Sequence, residues 1–197
     1  DMYNSDGSQA EMCGNATRCV GKYVYDRGLT DKTQITLETL AGIKILDLNV
    51  KDGEVQTVRV NMGSPELVPK NIPIDSNLDR FISEDVEVDG KVYKVTGVSM
   101  GNPHAVTFID DTDSLEIEKI GPKFETHKLF PKKINTEFAQ IVDRNTIKMR
   151  VWERGAGETL ACGTGACATM VAANLNGLVD DEADLVLLGG TLHIKWD

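Results

Sequence analysis

The chain has 197 residues, with 21 Lys and Arg against 31 Asp and Glu and a formal charge of −10. Apolar residues make up 41% and charged residues 26%, the balance of a folded globular protein with one large domain or two small ones, not of a disordered chain. The acidic excess, without any basic cluster, excludes a nucleic-acid binder, and no apolar run approaches the ~18 residues of a membrane-spanning helix. Four Cys are too sparse for a disulfide scaffold, which makes a reducing cytoplasm the expected compartment.

In chain order, a motif dense in small and polar residues opens the sequence and runs into a helix that starts at Cys13 and stops at Gly28. Strands follow at 35–40 and 42–46, and at 55–60 after the hairpin signal Asp52-Gly53. The Pro- and turn-rich stretch from Gly63 to Ile74 reads as a link, which divides the chain into lobes 1–62 and 63–197. Beyond it come strands at 86–88, at 92–98 after Asp89-Gly90, and at 105–109. Apolar spacing between Thr112 and Phe130 suggests a helix interrupted near Gly121-Pro122. Strands at 138–142 and 147–151 precede a second Cys-Gly helix start at Cys162, with a Gly stop at Gly177 and strands at 183–188 and 190–194.

The order Cys-Gly, helix, Gly stop, strand, Gly, strand thus occurs twice at nearly equal offsets, which is an internal repeat. Copy one continues into a further strand that copy two lacks. Copy two is preceded by strands that copy one lacks. By symmetry, the natural protein is expected to extend at both ends.

The repeat also points to the chemistry. A thiol at a helix start faces unpaired backbone N–H groups and the positive end of the helix dipole, which is expected to lower its pKa toward a reactive thiolate. The same N–H groups can hold a carboxylate. Two such ends offer two thiols and two carboxylate nests for one small molecule. One thiolate can remove a proton from a carbon while the other thiol returns one to the opposite face. Cys13 and Cys162 fit this role, whereas Cys19 and Cys167 lie inside helices and read as small buried apolar residues. The Cys spacings do not match a zinc site, and no dinucleotide fingerprint, phosphate loop or singled-out Lys is present, so a proton transfer without metal or cofactor is expected. In the string Glu153-Arg154-Gly155-Ala156-Gly157-Glu158-Thr159, the glycines allow close approach to a ligand, Arg154 could fork onto a carboxylate, and Glu153 could face an ammonium.

Taken together, Asn4-Ser-Asp-Gly-Ser8, Glu11-Met-Cys13-Gly14-Asn15 with Arg18-Cys19, Gly101-Asn-Pro-His104, and Glu153 to Thr159 with Ala161-Cys-Gly-Thr-Gly165 resemble the diaminopimelate epimerase family. The resemblance runs from residue 1 to residue 197. It implies an isomerase of lysine and peptidoglycan biosynthesis that interconverts LL- and meso-diaminopimelate without pyridoxal phosphate or metal. It implies an α/β fold of two pseudo-symmetric lobes, each a mostly antiparallel sheet wrapped around a central helix, with the site between them. By position, Cys13 and Cys162 become the acid/base pair, and Gly14, Asn15, Gly163 and Thr164 hold the carboxylate at the reacting carbon. Asn4, Asn135 and Arg154 grip the distal end, Glu153 and His104 lie near the reacting centre, and Asn102 completes the ligand shell. Diaminopimelate is the expected partner, and a homodimer the candidate assembly. Ala16 stands where many members have Gly, and the family extends further at both ends than this chain. The alternatives are a proline racemase-like enzyme, whose small substrate lacks a distal charged end, and a truncated relative that binds ligand without turnover.

Overall fold

The computed structural model describes residues 12–40 and 42–196. The chain divides into two compact units, Asp1–Gly63 and Ser64–Asp197.

In the first unit, α1 (Gly14–Asp26) lies on an antiparallel sheet of β1 (Gln34–Thr39), β2 (Gly42–Lys51) and β3 (Glu54–Val60), in the order β1-β2-β3. The sheet follows from the period-two pattern of β2, which turns Leu46, Leu48 and Val50 to one face. Gly21 lets the helix come close: a methyl group there would stand 3.0 Å from Leu46 and 3.1 Å from Leu48. At the far end of α1, Lys22 Nζ donates to the Val55 carbonyl at 2.7 Å, and Asp26 accepts from the Val55 N–H at 2.9 Å.

The second unit is built on an eight-stranded mixed sheet in the order β11-β10-β8-β7-β6-β5-β4. Its strands are β4 (Glu84–Val88), β5 (Lys91–Ser99), β6 (Pro103–Phe108), β7 (Asn135–Asp143), β8 (Thr146–Glu153), β9 (Gly157–Thr159), which pairs only with β8, β10 (Glu182–Leu187) and β11 (Gly190–Lys195). Hairpins join most neighbours, and the turns at Asp52-Gly53 and Asp89-Gly90 have positive φ at both residues, as two-residue hairpin turns require. Two pairings are parallel, β6 with β7 and β8 with β10. Each is bridged by a helix: α2 (Ile117–Glu125) crosses between the first pair and α3 (Gly163–Leu175) between the second.

Consecutive residues of the central strands face opposite cores. Ala105 and Phe138 pack with Ile117 and Phe124 of α2, while Val106 and Ala139 lie on the side of α3. Every residue of α3 from Gly165 to Ala173 is buried, in keeping with a helix that is apolar all round. The stretch after Gly63 also joins this unit: Ile72 and Ile74 are buried in the α2-side core.

The two Cys-Gly segments are close geometric copies. Each opens a helix of 13 residues, with Cys13 at φ −132°, ψ 112° and Cys162 at φ −126°, ψ 111° in the N-cap position. Each helix ends on a glycine with positive φ, Gly28 at 66° and Gly177 at 69°. The closing bonds match too. Leu29 N–H donates to Val24 and Gly28 N–H to Tyr25; Leu178 N–H donates to Ala173 and Gly177 N–H to Asn174. Each then leads to an antiparallel hairpin, β1-β2 or β10-β11.

Two expectations need correction. The helix in 112–130 is not interrupted at Gly121-Pro122, because α2 runs through both. Pro122 removes only the hydrogen bond to the Glu118 carbonyl, on an exposed residue that water can serve, and Gly121 has no Cβ to clash with the proline ring. Cys19 is exposed rather than buried. The buried face of α1 is Gly14, Thr17 and Gly21, and Cys19 lies about 200° round the helix from Thr17.

Gly121 also seats α2 on Trp152, since a methyl group there would land on the body of the indole ring. Helix propensity alone favours Gly121→Ala by about 1 kcal/mol. The clash outweighs this, and Gly121→Ala is expected to destabilise by about 1–3 kcal/mol in urea unfolding.

Candidate active site

The second unit gathers polar groups where β6 and β7 begin, β8 ends and α3 starts. His104 and Asn135 are register partners across β6 and β7. By the two-residue period, Asn135, Glu137 and Ala139 share the sheet face that α3 covers. Cys162 is buried at the head of α3, and its sulfur accepts from the Gly165 N–H at 3.3 Å and lies 3.4 Å from the Thr164 hydroxyl.

From that sulfur a line of hydrogen bonds runs into the core. Asn102 Nδ2 donates to Thr164 Oγ1 at 3.2 Å. Asn102 Oδ1 meets His104 Nε2 at 3.0 Å, and His104 Nδ1 meets Glu137 Oε1 at 2.7 Å. His104 and Glu137 are both fully buried. Glu137 is the residue that sequence reasoning missed. Its only signal was one carboxylate directly ahead of the strand read at 138–142.

The electrostatics correct the expectation of a lowered thiol pKa. Burial pushes the Cys162 thiol up to about 12, and the carboxylates of Glu153 and Glu137 add to the rise. The Thr164 hydroxyl and the Gly165 N–H pull the other way without overcoming it. A helix start lowers a thiol pKa only while the thiolate is not also stripped of water and faced with negative charge. Burial likewise holds the Glu137 carboxyl above its ordinary range, with His104 opposing.

Glu153 and Arg154 stand on the hairpin between β8 and β9, where Glu153 pairs with Gly157 and accepts from the Thr159 hydroxyl. The glycine-containing string forms a tight turn with a short strand. Asn135 pins its base, donating to the Pro103 carbonyl at 2.8 Å and accepting from the Arg154 N–H at 2.9 Å. The Arg154 side chain is exposed and reaches the Lys132 carbonyl at 3.3 Å.

In the first unit, Cys13 is exposed at the head of α1, and Gly14 is buried. Asn15 Oδ1 accepts from Arg18 at 2.7 Å, and Arg18 also donates to the Gly14 carbonyl at 3.2 Å. Gly163 opens α3 in the second unit as Gly14 opens α1. Asn4 lies outside the described residues.

The sequence model of the diaminopimelate epimerase family matches residues 1–68 and 96–197. The chain belongs to that family. It is 62% identical to the diaminopimelate epimerase of Acetivibrio thermocellus, over all of this chain and 70% of that one. It is 56% identical to that of Methanococcus maripaludis, over all of this chain and 71% of that one. Among solved structures, a hydroxyproline epimerase from Agrobacterium vitis superposes with a TM-score of 0.70 at 14% identity, covering 98% of this chain and 60% of the other. A probable proline racemase from Agrobacterium radiobacter gives 0.67 at 16%, covering 95% and 59%. At these identities the two structures share the fold with this chain.

Glu125 holds the turn that carries Glu153 and Arg154. Its carboxylate accepts from Trp152 Nε1 at 2.8 Å, from Lys133 at 3.1 Å and from the Gly155 N–H at 3.2 Å. Burial raises its pKa, but these three donors outweigh burial and leave it below the ordinary 4.5. A carboxyl with a depressed folded-state pKa gives stability that is complete above its ordinary value and lost as pH falls through the lowered one. Glu125→Ala is expected to cost about 1–3 kcal/mol near neutral pH by orphaning the indole N–H. The Tm difference from wild type is expected to shrink as a thermal melt series is taken to acid below pH 4.5.

Proposed function

We propose that this enzyme epimerises LL-diaminopimelate to meso-diaminopimelate by a two-base reaction in which Cys13 and Cys162 are the acid/base residues. The family assignment supports the activity. The observation that carries the mechanism is the matched pair of helix starts, each with a cysteine in the N-cap position at nearly the same φ and ψ. The reaction must remove an α-hydrogen without an electron sink, so the charge that develops has to be held at the α-carboxylate. Backbone N–H groups at Gly14, Asn15, Gly163 and Thr164 are suited to this, because a helix start offers preorganised donors and a favourable dipole.

In the ligand-free enzyme Cys162 is the thiol, since burial and two carboxylates oppose its ionisation. It delivers the proton in one direction and takes it in the other, and Cys13 does the converse. As Cys162 loses its proton, the Gly165 N–H and the Thr164 hydroxyl stand ready to bond the thiolate. Arg154 and Asn135 serve the distal amino-acid end with Asn4, and His104, Glu153 and Asn102 serve the reacting centre. The exposed guanidinium of Arg154 suits a substrate with a second charged end better than it suits proline.

Cys13→Ala and Cys162→Ala are each expected to lower LL-to-meso conversion by at least about 10³-fold, within the range that positioned acids and bases contribute. A coupled assay with a meso-specific dehydrogenase reads this, and wild-type rate in either variant would reject the two-thiol scheme.

A further inference from the structure

Glu137 is costly where it stands. It is fully buried, and its Oε2 has no hydrogen-bond partner among the described residues. A carboxyl placed so is expensive unless paired, and an apolar side chain would serve β7 better if packing were the only demand. The backbone above it is shaped to admit it. A methyl group on Gly165 would stand 2.6 Å from Glu137 Oε1 and 3.2 Å from Cys162 Sγ, so the oxygen and the sulfur flank the same point at the head of α3.

The hydrogen-bond directions can be followed from the sulfur inward. Asn102 gives its amide N–H to Thr164 and turns its oxygen to His104, so Nε2 carries a hydrogen. The contact of Nδ1 with Glu137 Oε1 then holds one more proton, shared between imidazole and carboxyl. Because the Thr164 oxygen accepts from Asn102, its own hydrogen is free to point at the Cys162 sulfur.

We propose that Glu137 is a positioning residue of the reaction: with His104 it holds one shared proton beneath α3, and through Asn102 this pair keeps the Thr164 hydroxyl turned toward the Cys162 sulfur. The proposal rests on the acid/base role of Cys162 given above. The groups that face this centre are Glu137 from β7, His104 from β6, Glu153 from β8, and Cys162, Thr164 and the Gly165 N–H from α3. The Glu137 carboxylate also opposes ionisation of the thiol, in support of Cys162 resting protonated.

The test uses Glu137→Gln and Glu137→Asp in the full-length enzyme. Glutamine keeps the shape but cannot share the proton, while aspartate keeps the acid but withdraws it from Nδ1. The expected order of kcat for diaminopimelate is wild type, then Asp, then Gln. Gln is expected to lose about 10–100-fold, as loss of a group that orients a reacting residue commonly does, with KM within about threefold of wild type. Alkylation of the Cys162 peptide by iodoacetamide, followed by mass spectrometry, is expected to begin at lower pH in Glu137→Gln. That second readout needs no turnover, so it distinguishes failure of this proposal from failure of the functional reading, for which the sign is an inactive wild type. Wild-type kcat in Glu137→Gln, a loss confined to KM, kcat in Glu137→Gln equal to or above that in Glu137→Asp, or an unmoved alkylation profile in folded Glu137→Gln would each overturn the role of Glu137.

Discussion

The constraint on which this structure depends is the burial of a thiol against acid. Cys162 sits at the head of a helix, where backbone N–H groups would welcome a thiolate, yet it is buried with the Glu137 and Glu153 carboxylates nearby. The first influence pulls toward ionisation and the second toward the protonated form, and the second wins at rest. A thiol held neutral by its surroundings, but already supplied with hydrogen-bond donors, suits the proton-donor role proposed for Cys162. The buried His104–Glu137 contact lies under the head of α3, beside that thiol.

The two halves of the chain reach the same local geometry at their helix starts. Both helices begin on an N-cap Cys, run 13 residues and close on a positive-φ glycine with the same pair of backbone bonds. Helix α3 is enclosed by an eight-stranded sheet, and α1 buries only a narrow face on three strands among the described residues. Among the described residues, Cys162 and Cys167 are buried while Cys13 and Cys19 are exposed.

Much of this was legible in the sequence because it is written in local rules. Gly28 and Gly177 mark helix ends because only glycine takes positive φ there without strain, and the Asp-Gly pairs mark hairpins for the same reason. Alternation located the strands, and the repeat located the helix starts. What could not be read depends on contacts distant in sequence. The thiol pKa followed the wrong sign because its cause, burial beside Glu137 and Glu153, arises only when β7, β8 and α3 meet. Glu137 itself fell just ahead of the strand read at 138–142 and looked like any acidic residue. Gly121-Pro122 looked like a break because the pattern does not show that the carbonyl freed by Pro122 belongs to an exposed residue. The short pairing of β8 with β9 at the glycine string before Cys162 became visible only with the neighbouring strand in place.

The most direct test of the account is proton NMR of LL-diaminopimelate with the reduced full-length enzyme in D₂O, with L-proline as a parallel substrate. The account predicts loss of the α-proton signal with diaminopimelate and none with proline. Exchange with proline alone, or with neither substrate, would contradict it.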